Sequence, residues 1–310
     1  MDEKKLAILG LRGAGKSTFL AVLNVALSVG EKPSKWIITA LDDETNKLVY
    51  QYENLIFNEG FYPDPTEEKG MLQFHATKSA ELGGLIPGGN FKIIAGDVPG
   101  EAVKGSVSEY ARFHDFYKEY VLGSSAIIFL LDPHEVWKIG EKEGEIQNFN
   151  YFPLFRSILT ELKQQAPNVY LAFGVTKIDD LPGGSLPESI LKNIHIYADT
   201  QDPNIAEQLA EFVLGKQAKD WIEQNFNSKN ISWWLISATG FIFDGKQIST
   251  QSIEKKTDKG IRFGIRKPGS IKPVGVVEIV EWALNRIARD AENGRPSTFG
   301  KIGKWIEGRF

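Results

Sequence analysis

Cysteine is absent from the 310 residues, so no disulfide, thiolate metal site or thiol nucleophile is available. Histidine is scarce. His75, His114, His134 and His195 are the four, no two of them close in sequence, which disfavours a zinc hydrolase. No run of about 18 uncharged apolar residues occurs, so no membrane-spanning helix is expected. The opening Met1-Asp2-Glu3-Lys4-Lys5 leads straight into an apolar stretch without a small-residue cleavage pattern. No secretory signal is expected, and a cytoplasmic setting is. A net charge of −4 gives the whole chain no pull toward nucleic acid. With 42% hydrophobic and 25% charged residues, the balance is globular and excludes a disordered or collagen-like chain.

Short apolar runs alternate with helical patterns, which predicts a parallel sheet with crossover helices. The runs are Leu6–Leu9, Trp36–Ala40, Phe91–Ala95, Ser125–Leu131, Val169–Val175 and Ile231–Ile236. Met71–Ala76 is expected to pair with the Phe91 run as an antiparallel edge strand, through a hairpin connection at Glu81–Asn90. Helices are predicted over Lys16–Ser28, Asp43–Asn58 (ending at Gly60), Ser108–Leu122, Tyr151–Gln165, Ile205–Phe226 and Val274–Ala291. The expected fold is α/β: a doubly wound, mostly parallel sheet flanked by helices. One domain is expected over 1–292, with insertions near 30–60, 137–150, 180–204 and 241–272 and a tail over 293–310.

Gly10-Leu11-Arg12-Gly13-Ala14-Gly15-Lys16-Ser17 fits G-x-x-x-x-G-K-[ST], preceded by a strand and followed by a helix. Glycines let the backbone curl so that successive N–H groups surround phosphate oxygens, and the helix N-terminus adds partial positive charge. Gly10, Gly13, Ala14, Gly15, Lys16, Ser17 and Thr18 are therefore the candidate phosphate site. Lys16 bridges the outer phosphates, and Ser17 offers its hydroxyl to Mg²⁺. Asp97-Val98-Pro99-Gly100 ends the Phe91 strand. A carboxylate at that strand end can hold a Mg²⁺ water, and the Gly100 N–H can follow the γ-phosphate.

Thr176-Lys177-Ile178-Asp179 follows the Val169 strand. A carboxylate at Asp179 accepts two hydrogen bonds from guanine N1–H and the 2-amino group, a donor pair that adenine lacks. Lys177 lays its stem along the base. Ser237-Ala238 ends the next strand, where the Ala238 N–H can donate to guanine O6.

In this order, Gly10–Thr18, Asp97–Gly100, Thr176–Asp179 and Ser237–Ala238 resemble the motifs of the Ras-like, translation-factor-class (TRAFAC) P-loop GTPases. The resemblance spans about residues 4 to 290. It implies GTP and GDP binding with Mg²⁺, slow hydrolysis and nucleotide-dependent loops. The family also needs a first-switch threonine ahead of the strand before Asp97. Thr39, Thr45, Thr66 and Thr77 are candidates, and Thr66 fits best. It stands in Phe61-Tyr62-Pro63-Asp64-Pro65-Thr66, similar to the prolyl switch of Ras-like proteins and of large predicted bacterial GTPases. Metal ligation then falls to Ser17, Thr66 and Asp97.

Two positions depart from the family pattern. Glu101 stands where Ras-like proteins place a glutamine after Asp-x-x-Gly. It either orients water as an acceptor or is a solvated switch carboxylate. Arg12 lies inside the phosphate loop, where it serves as an arginine finger in cis, blocks a partner's finger or points to solvent.

Residues 253–272 carry seven Lys or Arg against two acids, a candidate basic hairpin or a solvated insertion. Phe299, Ile302, Ile306 and Phe310 fall near helical spacing in the tail. Both segments are candidates for an acidic partner or a membrane surface. A protein effector or activating partner and a second copy of the chain are the other candidate partners. No specific nucleic acid is expected. The leading reading is a GTP-hydrolysing switch. The alternatives are a non-hydrolysing GTP-binding scaffold and a P-loop ATPase.

Overall fold

The computed structural model describes residues 4–11, 13–29, 34–63, 72–78, 90–98, 121–133, 151–178, 190, 202–244, 247–249, 251–258 and 260–293. Seven strands form one sheet: β1 (Lys5–Leu11), β2 (Trp36–Ala40), β3 (Leu72–Lys78), β4 (Asn90–Val98), β5 (Ala126–Leu131), β6 (Tyr170–Val175) and β7 (Ile231–Leu235). Their spatial order is β2-β3-β4-β1-β5-β6-β7. The β4–β1–β5–β6–β7 pairs are all parallel. β3 runs antiparallel to both β4 and β2.

The antiparallel strand expected at the edge thus stands one place in from it. The physical reason is the insertion after the first helix: it supplies β2, which covers the free ladder of β3. β2 is fixed from the other side as well. The Trp36 indole Nε1 donates to Asn285 at 3.1 Å, and Ser34 Oγ donates to Glu281 at 2.5 Å.

Both faces of the central sheet are dry, which is why its strands read as continuous apolar runs. Side chains alternate between the faces with period two. Ala7, Leu9, Phe129, Leu131, Phe173 and Val175 enter one core, with α3 (Tyr151–Gln165), α4 (Pro203–Leu214) and α5 (Lys216–Asn225). Leu6, Ile8, Ile128, Leu130 and Ala172 enter the other, with α1 (Lys16–Val29) and α6 (Val276–Asn293). Gly174 lies on the α6 side. A Cβ there would stand 2.3 Å from Ile236 Cδ1 and 3.2 Å from Ile279 Cδ1, so its missing side chain lets α6 sit close to β6.

The helix predicted over Ile205–Phe226 is two helices. Gly215, at φ 82°, breaks it. The Asp43–Asn58 prediction is α2 (Asp43–Glu53) continued by a π-helical segment, Asn54–Glu59, which ends at Gly60. Asp42 caps α2 by accepting from the Thr45 N–H at 2.7 Å, and Asp43 and Glu44 favour the positive end of the helix dipole. The 241–272 insertion contains two hairpins, β8 (Ile242–Asp244) with β9 (Gln247–Ser249), and β10 (Ser252–Thr257) with β11 (Gly260–Ile265). Most of the Ser108–Leu122 helix and the whole tail 294–310 lie outside the described residues. No helix among the described residues is long and apolar enough to cross a membrane.

Candidate functional site

The sheet order reverses at β1, whose neighbours are β4 and β5. Ligands in such sheets bind beyond the strand C-termini at this switch point. The phosphate loop leaves β1 there. Gly13 and Gly15 have φ of 86° and 83°, a left-handed conformation that side chains with a Cβ adopt at a cost. Gly10 is held by closeness instead: a Cβ would meet Ala14 Cβ and Leu130 O at 3.1 Å. Ala14 is buried, and the Phe19 N–H to Gly15 O bond of 2.8 Å opens α1. Lys16, only 8% exposed, donates from Nζ to Gly10 O at 2.8 Å, so its ammonium is folded back over the loop. Thr18 is buried and Ser17 half-buried in the first turn of α1.

The register of β1 with β4 sets Asp97 opposite Gly10. Asp97 and Val98 therefore end β4 beside the start of the phosphate loop. Hard hydroxyl and carboxylate oxygens are the ligands Mg²⁺ prefers. Ser17 at the helix start and Asp97 at the neighbouring strand end fit that ion. Arg12, Thr66, Gly100, Glu101 and Asp179 lie outside the described residues, and Asp97 is described for its backbone alone. The other three threonines are occupied structurally. Thr39 and Thr77 sit in the β2–β3 ladder, while Thr45 is buried and its Oγ1 accepts from the Gln73 N–H at 3.2 Å.

Thr176 and Lys177 of the candidate base-reading motif follow β6 at the same C-terminal end of the sheet. Thr176 is buried and ties β6 to its surroundings. Its Oγ1 lies 3.1 Å from both Ala14 O and Leu131 O, one donor shared between two carbonyls, and its N–H donates to Leu131 O at 2.8 Å. The phosphate loop and the Thr176–Asp179 motif are thus directly bonded. Lys177 is the only non-glycine residue with positive φ among those described, at 54°. A left-handed conformation costs a side-chain-bearing residue about 1–2 kcal/mol. It is held by an ion pair: Lys177 Nζ reaches Asp132 Oδ2 at 2.8 Å. The Lys177 stem passes beside the loop, with Cε 3.9 Å from where a Gly15 Cβ would be.

Asp132 is the residue that sequence reasoning missed. It is 2% exposed and ends the wholly buried strand β5. The available signal was an acid directly after six buried apolar residues and before Pro133. Asp132→Ala is expected to lower stability by about 1 kcal/mol, a typical net hydrogen bond, since the partly exposed Lys177 end of the pair is screened by solvent. It should also weaken nucleotide binding by freeing Lys177. Urea unfolding and a GDP titration check this. Unaltered GDP affinity would remove Asp132 from the site.

Ser237 is fully buried and exchanges two backbone bonds with Val274, at 3.0 and 2.9 Å. Gly240 passes so close to the next segment that a Cβ would stand 2.2 Å from Lys272 O. The loop carrying Ala238 is pinned from that side.

No family model matches this chain, and no curated protein does. Solved structures do. Era of Aquifex aeolicus bound to GDP and AlF4− aligns at 16% identity with a TM-score of 0.36, over 77% of this chain and 52% of that one. The chain therefore spans about half the length of Era. A putative nucleolar GTP-binding protein 1 from Plasmodium falciparum aligns at 14% identity and TM-score 0.37, over 99% and 97% of the two chains. The septin GTPase domain of Chlamydomonas reinhardtii gives 14%, 0.36, 99% and 98%. The fold is α/β, a mostly parallel seven-stranded sheet flanked by helices with a glycine loop at its switch point, as its own strand order and backbone show.

Proposed function

We propose that this chain is a guanine-nucleotide switch that hydrolyses GTP to GDP and phosphate with Mg²⁺. The observation that carries the reading is the bonded junction of Thr176 with Ala14. It supports the reading because it joins the Thr176–Asp179 motif to the glycine loop at Ala14. Asp179 selects guanine through N1–H and the 2-amino group, and the Ala238 N–H donates to O6. Lys16 and the loop amides neutralise charge on the outer phosphates. Ser17, Thr66 and Asp97 would hold Mg²⁺, which supplies charge neutralisation between the phosphates. Gly100 follows the γ-phosphate, and catalysis is chiefly positioning and electrostatics. Arg12, within the G-x-x-x-x-G-K-S sequence, is the candidate arginine finger in cis. The proposal includes a cytoplasmic setting and a protein effector or activating partner that reads the switch loops.

Glu101 favours a second reading, a GTP-binding scaffold that does not turn over. An ionised carboxylate there cannot donate to the γ-phosphate and repels it. Multiple-turnover phosphate release separates the two readings.

The decisive experiment displaces fluorescent GDP with unlabelled GDP or ADP in Mg²⁺ buffer. GDP is expected to compete at least about a hundredfold better, roughly 2.7 kcal/mol of discrimination. Equal competition by ADP would make the protein an ATPase.

A further inference from the structure

The β10–β11 hairpin follows the β8–β9 hairpin and folds back onto residues 60–62, at the start of the prolyl stretch. Its contacts there are numerous. Ile265 N–H donates to Gly60 O at 2.7 Å, and Tyr62 N–H donates to Phe263 O at 3.2 Å. Lys255 Nζ donates to the same Gly60 carbonyl at 2.9 Å. Lys255 and Arg262 both lie over the Phe61 ring, 5.0 and 5.1 Å from its centre. Gly264 makes room for this. A Cβ there would meet the Lys255 stem at 2.4 Å. The base of the hairpin is closed by Gln251, which is buried and accepts from the Arg266 N–H at 2.8 Å.

The segment so held presents Tyr62. Its hydroxyl lies 3.1 Å from Thr239 Oγ1, and Thr239 is buried and adjoins Ala238. Tyr62 and Ala238 also pack on one small core, with Ala21 and Val22 of α1, Ile56 of the π-helical segment and Ile265 of the hairpin. The base loop is therefore gripped on two sides, by Val274 and Lys272 on one and by Tyr62 on the other.

We infer that Tyr62 is a positioning residue for guanine recognition and that the β10–β11 hairpin holds it in place. The inference rests on the guanine reading above. The basic charge of the hairpin then has a local purpose. Two of its cations, Lys255 and Arg262, fasten Phe61, and Lys255 also fastens Gly60. Through Thr239, the Tyr62 hydroxyl fixes the peptide that carries the Ala238 N–H. A donor ordered before the base arrives adds no ordering cost on binding, so affinity rises. Affinity changes within one site fall mainly on the dissociation rate.

The test is the dissociation rate of fluorescent GDP from the full chain, chased with unlabelled GDP. Tyr62→Phe and Thr239→Val each remove one hydroxyl and keep the shape. Each is expected to speed release about five- to tenfold, the range of one hydrogen bond. The double variant should be no faster than either single, because both remove the same bond. Thr239→Ser, which keeps the hydroxyl, should release GDP at the wild-type rate. Lys255→Met tests the hairpin at a half-buried position and should also speed release. Wild-type binding of GDP with unchanged release in the Tyr62, Thr239 and Lys255 variants overturns the inference alone, as do multiplying single effects. Failure of the wild type to bind GDP removes the guanine reading, and the inference with it.

Discussion

Lys16→Ala is expected to abolish Mg-nucleotide binding at micromolar protein. The ammonium makes charge-assisted bonds to the outer phosphates, each worth about 1.5–3 kcal/mol, and two of them correspond to a factor of roughly 10² to 10⁴ in Kd. In the structure the same ammonium bonds Gly10 O. The variant loses this bond to a loop carbonyl, and its fold should survive. Calorimetric titration with GDP, beside a far-UV spectrum, reads both. A folded Lys16→Ala protein that binds GDP like the wild type would show that the glycine loop holds no phosphate.

Asp179→Asn is expected to invert base preference. The carboxylate accepts from two guanine donors, so its loss should cost GDP affinity about a hundredfold or more. An asparagine amide donates where the carboxylate accepted. It therefore suits the C2 carbonyl of xanthine, and xanthosine diphosphate should become the better ligand. Competition between the two diphosphates measures this directly. The lysine variant fails on phosphates whatever the base, whereas this one discriminates bases at constant phosphate. Retained GDP preference in Asp179→Asn would sink the base-reading assignment.

The phosphate loop was legible because its geometry is local. Two glycines with positive φ, a lysine and a helix start lie within a few residues, so sequence spacing is spatial spacing. The central strands were legible because both faces of the sheet are buried there, so each is an apolar run, whereas β2 and β3 alternate buried residues with more exposed ones. Strand order was less so. Nothing local in Trp36–Ala40 says that it pairs with β3 and closes the edge. Asp132 was hidden for the same reason. Its partner, Lys177, is 45 residues away, and no motif spacing joins them. The break at Gly215 was hidden because apolar residues keep helical spacing on both sides of it. The basic segment, which is a hairpin, was legible from its charge only as a candidate hairpin or a solvated insertion. Its target at Gly60 and Phe61 was not, since a cation that grips a carbonyl and a ring looks in sequence like any solvated lysine.

The pinning of Ser237 by Val274 has a consequence for the order of assembly. A chain made from its N-terminus has the glycine loop before it has Val274, the partner that shapes the 237–239 loop. The Tyr62–Thr239 and Lys255–Gly60 contacts span 177 and 195 residues, so they carry a large loop-closure cost and form late. The 237–239 loop is therefore the part of the site set after the rest. On the guanine reading proposed above, a base present at that moment would be enclosed as the fold closes.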